Sequence, residues 1–170
     1  SLLLDSLGIE HPPAPAGWRY LAWMNHRSDN RIADWLFALL PGSTAGFLEA
    51  RGIPAPGLVV IDGSGLSADN RVAPITLARL LAYEARGPQS PAFIATLSRP
   101  GVPGTLSRRG LGVGSRLRGK TGYIRASFSL SGLLDTGSDT LAFAFIANNC
   151  PSGRSAYRLF TRLLRSLDRR

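Results

Sequence analysis

Gly119-Lys120-Thr121-Gly122-Tyr123-Ile124 opens the part of the chain that decides the fold. It is followed by Ser127-Phe128-Ser129-Leu130-Ser131-Gly132-Leu133-Leu134 and then by Thr140-Leu141-Ala142-Phe143-Ala144-Phe145-Ile146-Ala147. Serine alternates with Phe128, Leu130, Gly132 and Leu134, and alanine alternates with Leu141, Phe143 and Phe145. A period of two marks a strand that buries one face. Strands are therefore predicted over residues 118–124, 127–134 and 140–147, with a hairpin loop at 135–139 that contains Gly137.

Helices are predicted on both sides of this unit. Residues 155–169 are amphipathic, with Leu159, Phe160, Leu163, Leu164 and Leu167 facing inward and four arginines outward. Upstream, residues 18–24 make one or two helical turns, and 25–30 interrupt them with polar side chains. A second helix covers 31–40 and stops at Pro41-Gly42. Ser43 caps a third over 44–51. Residues 58–61 form a short buried strand, and Asp62-Gly63-Ser64-Gly65-Leu66-Ser67 turns tightly after it. Helices at 74–86 and 91–97 follow. Residues 98–114, rich in glycine, proline and serine, form a long surface loop. Residues 2–7 suit a short helix, and His11-Pro12-Pro13-Ala14-Pro15 is an extended connector. The boundaries drawn are 1–17 for this helix and linker and 18–170 for the main domain. The fold class is α/β, with helices packed on an antiparallel sheet.

The chain has 170 residues, 44% of them hydrophobic, enough for one domain with a core. No apolar run reaches the roughly 20 residues of a membrane helix. A single cysteine, Cys150, excludes an internal disulfide. The net charge is +9, and residues 85–134 hold eight basic side chains and no acid. Such a face attracts anions such as phosphate backbones, anionic polymers or carboxylates; a solvated surface of an arginine-rich sequence is the alternative. No aromatic interleaving accompanies the charge, so nucleic acid is not the expected partner. Lys120 is the only lysine among 20 basic residues. A lysine is a compact charge on a flexible stem where an arginine is a planar fork.

Two triplets carry the chemistry. Ser28-Asp29-Asn30 falls between two helices, and Lys120-Thr121-Gly122 falls on a strand. Ser-Asp-Asn and Lys-Thr-Gly belong, with Ser-x-x-Lys, to the serine-active penicillin-interacting enzymes. Four further stretches extend the likeness: Met24-Asn25-His26-Arg27 before Ser28, the Asp62–Ser67 turn, Asp69-Asn70-Arg71-Val72, and Leu130-Ser131-Gly132. Together they resemble the C-terminal part of the family S13 D-alanyl-D-alanine carboxypeptidases, which are class C low-molecular-mass penicillin-binding proteins. The resemblance runs from about Leu21 to Asn148.

The resemblance implies a penicillin-binding-protein or β-lactamase-like transpeptidase fold, of which this chain supplies the last three of five strands. It implies a serine carboxypeptidase, with endopeptidase action as a further option, working on exported or periplasmic peptidoglycan through an acyl-enzyme. Partners would be a peptide ending in D-Ala-D-Ala, and β-lactams as inhibitors. Ser28 would relay a proton to the leaving amine. Asn30 would bind the peptide, and Lys120 would set the positive field. Thr121 would hold the terminal carboxylate, beside Gly122, and the Tyr123 N–H would be an oxyanion donor. No cofactor or metal is implied.

This chain contains no Ser-x-x-Lys. The nucleophile would come from a missing N-terminal half, and the chain alone would be inactive. Tyr123 stands where the family has a small hydroxyl residue, Arg125-Ala126 where it has a glycine turn, and Pro103 where it has an acid. The second reading is therefore a catalytically inactive binder of peptidoglycan or another anionic polymer. Asp62 is expected to hold its turn rather than to react. His26 is expected at the surface.

Overall fold

The computed structural model describes residues 16–109 and 111–169. The helix expected at 2–7 and the proline-rich connector lie outside them. Among the described residues, six α-helices and three strands follow in order: α1 (Ala16–Arg27), α2 (Asn30–Ala38), α3 (Thr44–Glu49), α4 (Pro74–Glu84), α5 (Ser90–Thr96), β1 (Leu117–Ile124), β2 (Ser127–Asp135), β3 (Thr140–Ala147) and α6 (Gly153–Leu167), with one turn of 3-10 helix at Gly114–Arg116 before β1.

The sheet is antiparallel in the order β1-β2-β3. Lys120 pairs with Ser131 and Gly122 with Ser129, while Leu130 pairs with Phe145. This register puts the large residues of β2 on one face. Phe128, Leu130 and Leu134 pack with Leu117 and Phe143 against Ala156, Phe160 and Leu164 of α6. Leu133 turns to the other face and meets Leu81 of α4 and Leu97. Two glycines allow β1 and β2 to lie so close. A Cβ on Gly132 would strike the Arg118 carbonyl, and one on Gly122 would strike the Ser129 hydroxyl.

Four local expectations are corrected. The break between α1 and α2 is narrower than the polar run suggested: helix continues through Arg27 and resumes at Asn30. Polar side chains are compatible with a helix end, so composition overstated the gap. Residues 58–61 make only one bridge, Val59 with Arg71, and Val59 and Ile61 are 42% and 56% exposed. Leu58, Val59 and Val60 line an open trough instead of a closed core. The 98–114 segment is not a mere surface loop, because Leu106, Leu111 and Val113 are buried in the α6 core. On α6, Leu159 and Leu163 are about two-fifths exposed. The buried stripe is Ala156, Phe160 and Leu164, a spacing of four that gives a narrower seam.

Candidate active site

β1 is the edge of the sheet, and its outer side is the scaffold of the site. Ser98 bridges that side at one point, where its N–H and carbonyl exchange hydrogen bonds with Gly119 at 3.0 and 2.8 Å. Backbone groups on a strand point alternately to either neighbour. The N–H and C=O of Thr121 and Tyr123 therefore point the same way as those of Gly119, past the end of the Ser98 bridge. The Thr121 carbonyl is used at once: the Lys120 ammonium donates to it at 2.9 Å.

The same ammonium donates to the Ser28 hydroxyl at 2.9 Å. Burial lowers the Lys120 pKa from its ordinary value, because a desolvated ammonium is penalised against the free amine. Ser28 occupies a backbone position with φ +55°, which L-residues rarely adopt. Its neighbour Asp29 fixes it there. The Asp29 carboxylate accepts from the Arg31 and Ile32 N–H groups at 3.0 and 3.2 Å and caps α2. The left-handed turn at Ser28 thus joins two helices and aims its hydroxyl at β1.

Asn25 and His26, at the end of α1, fasten that end to the far wall. Asn25 Nδ2 donates to Thr96 Oγ1 at 3.1 Å. His26 is only 5% exposed, with Nδ1 3.3 Å from the Pro103 carbonyl and Nε2 3.4 Å from that of Ala95. The surface placement expected for His26 is wrong. Its ring is a buried strut between α1, α5 and the segment before β1. No local pattern signalled this, since both carbonyl partners are about seventy residues away.

Asp62 is built as a turn anchor. One carboxylate oxygen accepts from Gly65 N at 2.6 Å and Asn70 Nδ2 at 3.0 Å, and the other accepts from Ser67 N at 2.6 Å. Desolvation works to raise its pKa, but the hydrogen bonds from Asn70, Ser67, Gly65 and Leu66 outweigh it and hold the carboxyl below its ordinary value. Gly63 lets the turn press on α2, where a Cβ would collide with the Ala33 carbonyl. Asp34 of α2 accepts from Ser64 N at 2.8 Å.

Two hollows meet at Lys120 and Thr121. One is an apolar trough walled by Met24, Leu40, Phe47, Leu58, Leu77 and Leu80, with Ser28 and Asn30 at its polar end. The other is a polar cleft along β1 that also holds Ser28 and Asn30, together with Gly122 and Tyr123. All six residues singled out from the sequence, Ser28, Asn30, Lys120, Thr121, Gly122 and Tyr123, thus line one cleft. Sequence reasoning missed Ser98, which closes part of the β1 edge, and the pair Arg109 and Tyr157. The Arg109 guanidinium lies 3.9 Å over the Tyr157 ring. Burial raises the Tyr157 pKa, while the Arg109 charge and a hydrogen bond with Thr121 work against that rise. Among the described residues no group of His, Cys, Asp and Glu is placed to hold a metal ion, and no helix is long and apolar enough to cross a membrane.

Helices packed on an antiparallel sheet, with a lysine on its edge beside a serine from a turn between helices, make a penicillin-binding-protein-like domain. The sequence profile of the D-Ala-D-Ala carboxypeptidase 3 (S13) family matches residues 14–162, and the chain belongs to that family, as its C-terminal portion. It is 34% identical to carboxypeptidase Rv3627c of Mycobacterium tuberculosis over 92% of this chain and 41% of the relative. It is 36% identical to carboxypeptidase DacB of Mycolicibacterium smegmatis over 70% of this chain and 28% of the relative. Penicillin-binding protein 4 of Haemophilus influenzae, solved in complex with a β-lactam, superposes with a TM-score of 0.74 at 28% identity, over 88% of this chain and 40% of that one. The chain therefore spans about two-fifths or less of the length of these relatives. The predicted fold class, helices on an antiparallel sheet of the penicillin-binding-protein type, is the one observed.

Proposed function

We propose that this chain is the C-terminal section of an exported or periplasmic serine D-Ala-D-Ala carboxypeptidase. Its substrate would be a peptidoglycan peptide ending in D-Ala-D-Ala, and β-lactams would acylate the same site. The observation that carries the reading is the Lys120–Ser28 hydrogen bond at the open end of the β1 edge.

In this reading a segment outside the chain, carrying Ser-x-x-Lys, supplies the nucleophile. The apolar trough supports it: a broad, unfilled apolar surface that ends on Ser28, Asn30 and Lys120 suits a helix with a polar end. The nucleophile would attack the penultimate D-Ala carbonyl, with the outward Tyr123 N–H as one oxyanion donor. Lys120 donates to the Ser28 oxygen, which leaves the Ser28 proton free to pass to the departing amine. The Thr121 hydroxyl would hold the terminal carboxylate, and Asn30 the peptide backbone. Gly122 would keep the strand edge open to the substrate.

Fluorescent penicillin labelling tests this. The chain alone should remain unlabelled. Co-expression with the Ser-x-x-Lys half of a close relative should give a covalent adduct on the supplied serine. Labelling of this chain by itself at Ser28, or hydrolysis of a D-Ala-D-Ala peptide by it, would show that the roles are assigned wrongly.

A second reading is a binder of peptidoglycan or another anionic polymer without turnover. The exposed Tyr123, stacked on Phe128 at 4.8 Å, favours it, since it replaces a small hydroxyl with a bulky ring. No adduct in any reconstitution, together with retention on anionic cell-wall polymer, would establish it.

A further inference from the structure

The outer face of α6 carries two features that no step of the proposed reaction uses. Arg154, Arg158, Arg162 and Arg165 are exposed on the helix, and Arg169 is exposed just past its end. At about 100° per residue the four helical arginines fall within an arc of about 80°, opposite the buried seam of Ala156, Phe160 and Leu164. Beside this stripe, with only Ser155 and Ser166 between, Leu159 and Leu163 form a shoulder that is 41% and 39% exposed. Among the described residues none of the five arginines has an acidic partner. Asp168, the one acid at this end of the chain, is already paired with Arg116.

This arrangement works against the domain in isolation. Arg154 and Arg158, and then Arg158 and Arg162, are like charges four positions apart, and such pairs repel on a helix. The open part of each leucine forfeits apolar area that burial would remove from water. The stripe is nevertheless fixed to the fold, because the seam beneath it is the core of the sheet's α6 side. Arg165 lies across the segment before β1, where a Cβ on Gly112 would strike its side chain.

Charge and apolar surface side by side select the partner. A soluble anionic polymer answers the arginines but offers nothing to the leucines. A bilayer bearing anionic headgroups answers both, with phosphates at its surface and the acyl boundary just beneath. We propose that the outer face of α6 docks on such a bilayer, with the helix lying in the plane of the surface. The guanidinium forks meet headgroup phosphates, and Leu159 and Leu163 reach the acyl boundary. The first turn of α6 lines the cleft along β1 through Arg154 and Tyr157, so docking brings the hairpin end of that cleft close to the lipid. This attachment is independent of the peptidase reading.

Co-sedimentation of the chain with sucrose-loaded vesicles tests the proposal. Vesicles of equal parts phosphatidylcholine and phosphatidylglycerol should retain it, less so as salt rises, and phosphatidylcholine alone should not. Arg158→Gln combined with Arg162→Gln should weaken partitioning about thirtyfold. Leu159→Gln combined with Leu163→Gln should weaken it about tenfold. Arg79→Gln combined with Arg86→Gln is the control. These exposed arginines lie on α4 and just after it, and α4 packs on the other face of the sheet, so the pair should leave partitioning nearly unchanged. Thermal unfolding checks that the variants fold, and the α6 arginine pair should not lower the midpoint, since it removes a repulsion. Equal retention on both kinds of vesicle overturns the docking. So does an equal loss in the α4 control, which would reduce the effect to net charge. Full vesicle binding by the leucine variant, with equal binding of soluble poly-L-glutamate by variant and parent, would make the stripe a site for an anionic polymer and overturn the lipid assignment.

Discussion

The Lys120 ammonium lies 2.9 Å from the Ser28 hydroxyl, although 92 positions separate them in sequence. The contact joins a sheet edge to a turn between two helices, so it forms only when the whole domain has folded. Its acceptor is a neutral hydroxyl, so the positive charge of Lys120 is stabilised there by hydrogen bonds and not by a carboxylate. That leaves burial as the dominant influence on its titration.

The Lys120 amine should consequently titrate below its ordinary value of 10.5. The unfolded chain binds the more protons between the folded pKa and 10.5, so stability should rise with pH across that window. Below the window the cost of burying the charge is present in full. Lys120→Met, which keeps the stem and removes the charge, should raise the unfolding midpoint at pH 7 while abolishing peptide binding. Lysine 13Cε chemical shifts against pH, with thermal unfolding of the variant, check both parts; an amine titrating at or above 10.5 would contradict the burial.

Ser28 holds a left-handed backbone that costs a non-glycine residue of the order of 1 kcal/mol. Ser28→Gly should relieve that strain and match or exceed the parent in stability. Ser28→Ala should not exceed it, since it keeps the strain and loses the hydroxyl. Both should release the Lys120 ammonium from one of its two acceptors. Denaturant midpoints of the two variants separate backbone strain from side-chain loss, and equal midpoints would mean the turn is unstrained.

Asp29 is placed for structure, although it stands in the middle of the motif. Asp29→Ala removes the acceptor of two α2 N–H groups and should cost about 1 kcal/mol. Because α2 begins at Asn30, the same change should let both Ser28 and Asn30 drift. A loss in penicillin labelling of the reconstituted enzyme larger than the loss in stability would show that Asp29 orients its neighbours. A variant with unchanged stability would remove the capping role.

How far these contacts were legible in the sequence depended on their range. The strands were readable from Phe128, Leu130 and Leu134, because alternation reports burial one residue at a time. The Ser43 cap and the Asp62 turn were readable for the same reason: each is settled within a few residues. The apolar run at 58–61 misled, because Leu58 and Val60 facing an open trough look the same in sequence as a buried strand. Leu159 and Leu163 misled similarly, for periodicity shows which side of a helix is apolar but not how much of it is covered. Ser98 and His26 gave no signal, since their partners are set by tertiary packing. The site triplets were found through family likeness, and only the folded chain brings Ser28 within reach of Lys120.

Asp62 gives the acid-side prediction. Its carboxyl is held below 3.8, so its contribution to stability is fully present above that value and is lost as pH falls through the lower folded pKa. Amide exchange at Gly65 and Ser67, whose N–H groups bond the carboxylate, should quicken in that acid range after correction for the intrinsic rate. Asp62→Asn should loosen the turn at neutral pH, because an amide offers one acceptor oxygen where two are used. Unchanged exchange in the variant would mean that Gly63, wedged against α2, holds the turn alone.

His26 is a buried polar ring with both nitrogens against carbonyls. A neutral imidazole has one N–H and so donates to one of these two carbonyls. His26→Ala would leave a cavity and strip a buried carbonyl of its donor, which should cost about 2 kcal/mol. The damage should extend to the site, since His26 stands two residues before Ser28 and its Nδ1 would be 3.3 Å from a Cβ placed on Gly104. Gly104 itself has φ +152° and lies against Ser98, which bridges β1 at Gly119. One rigid unit therefore ties α1 to the strand edge. His26→Gln keeps a donor and should recover part of the stability. In both variants the Lys120 signal should move toward that of an exposed lysine, and more so in His26→Ala. Loss of stability with an unmoved Lys120 signal would reduce His26 to a core residue with no bearing on the site.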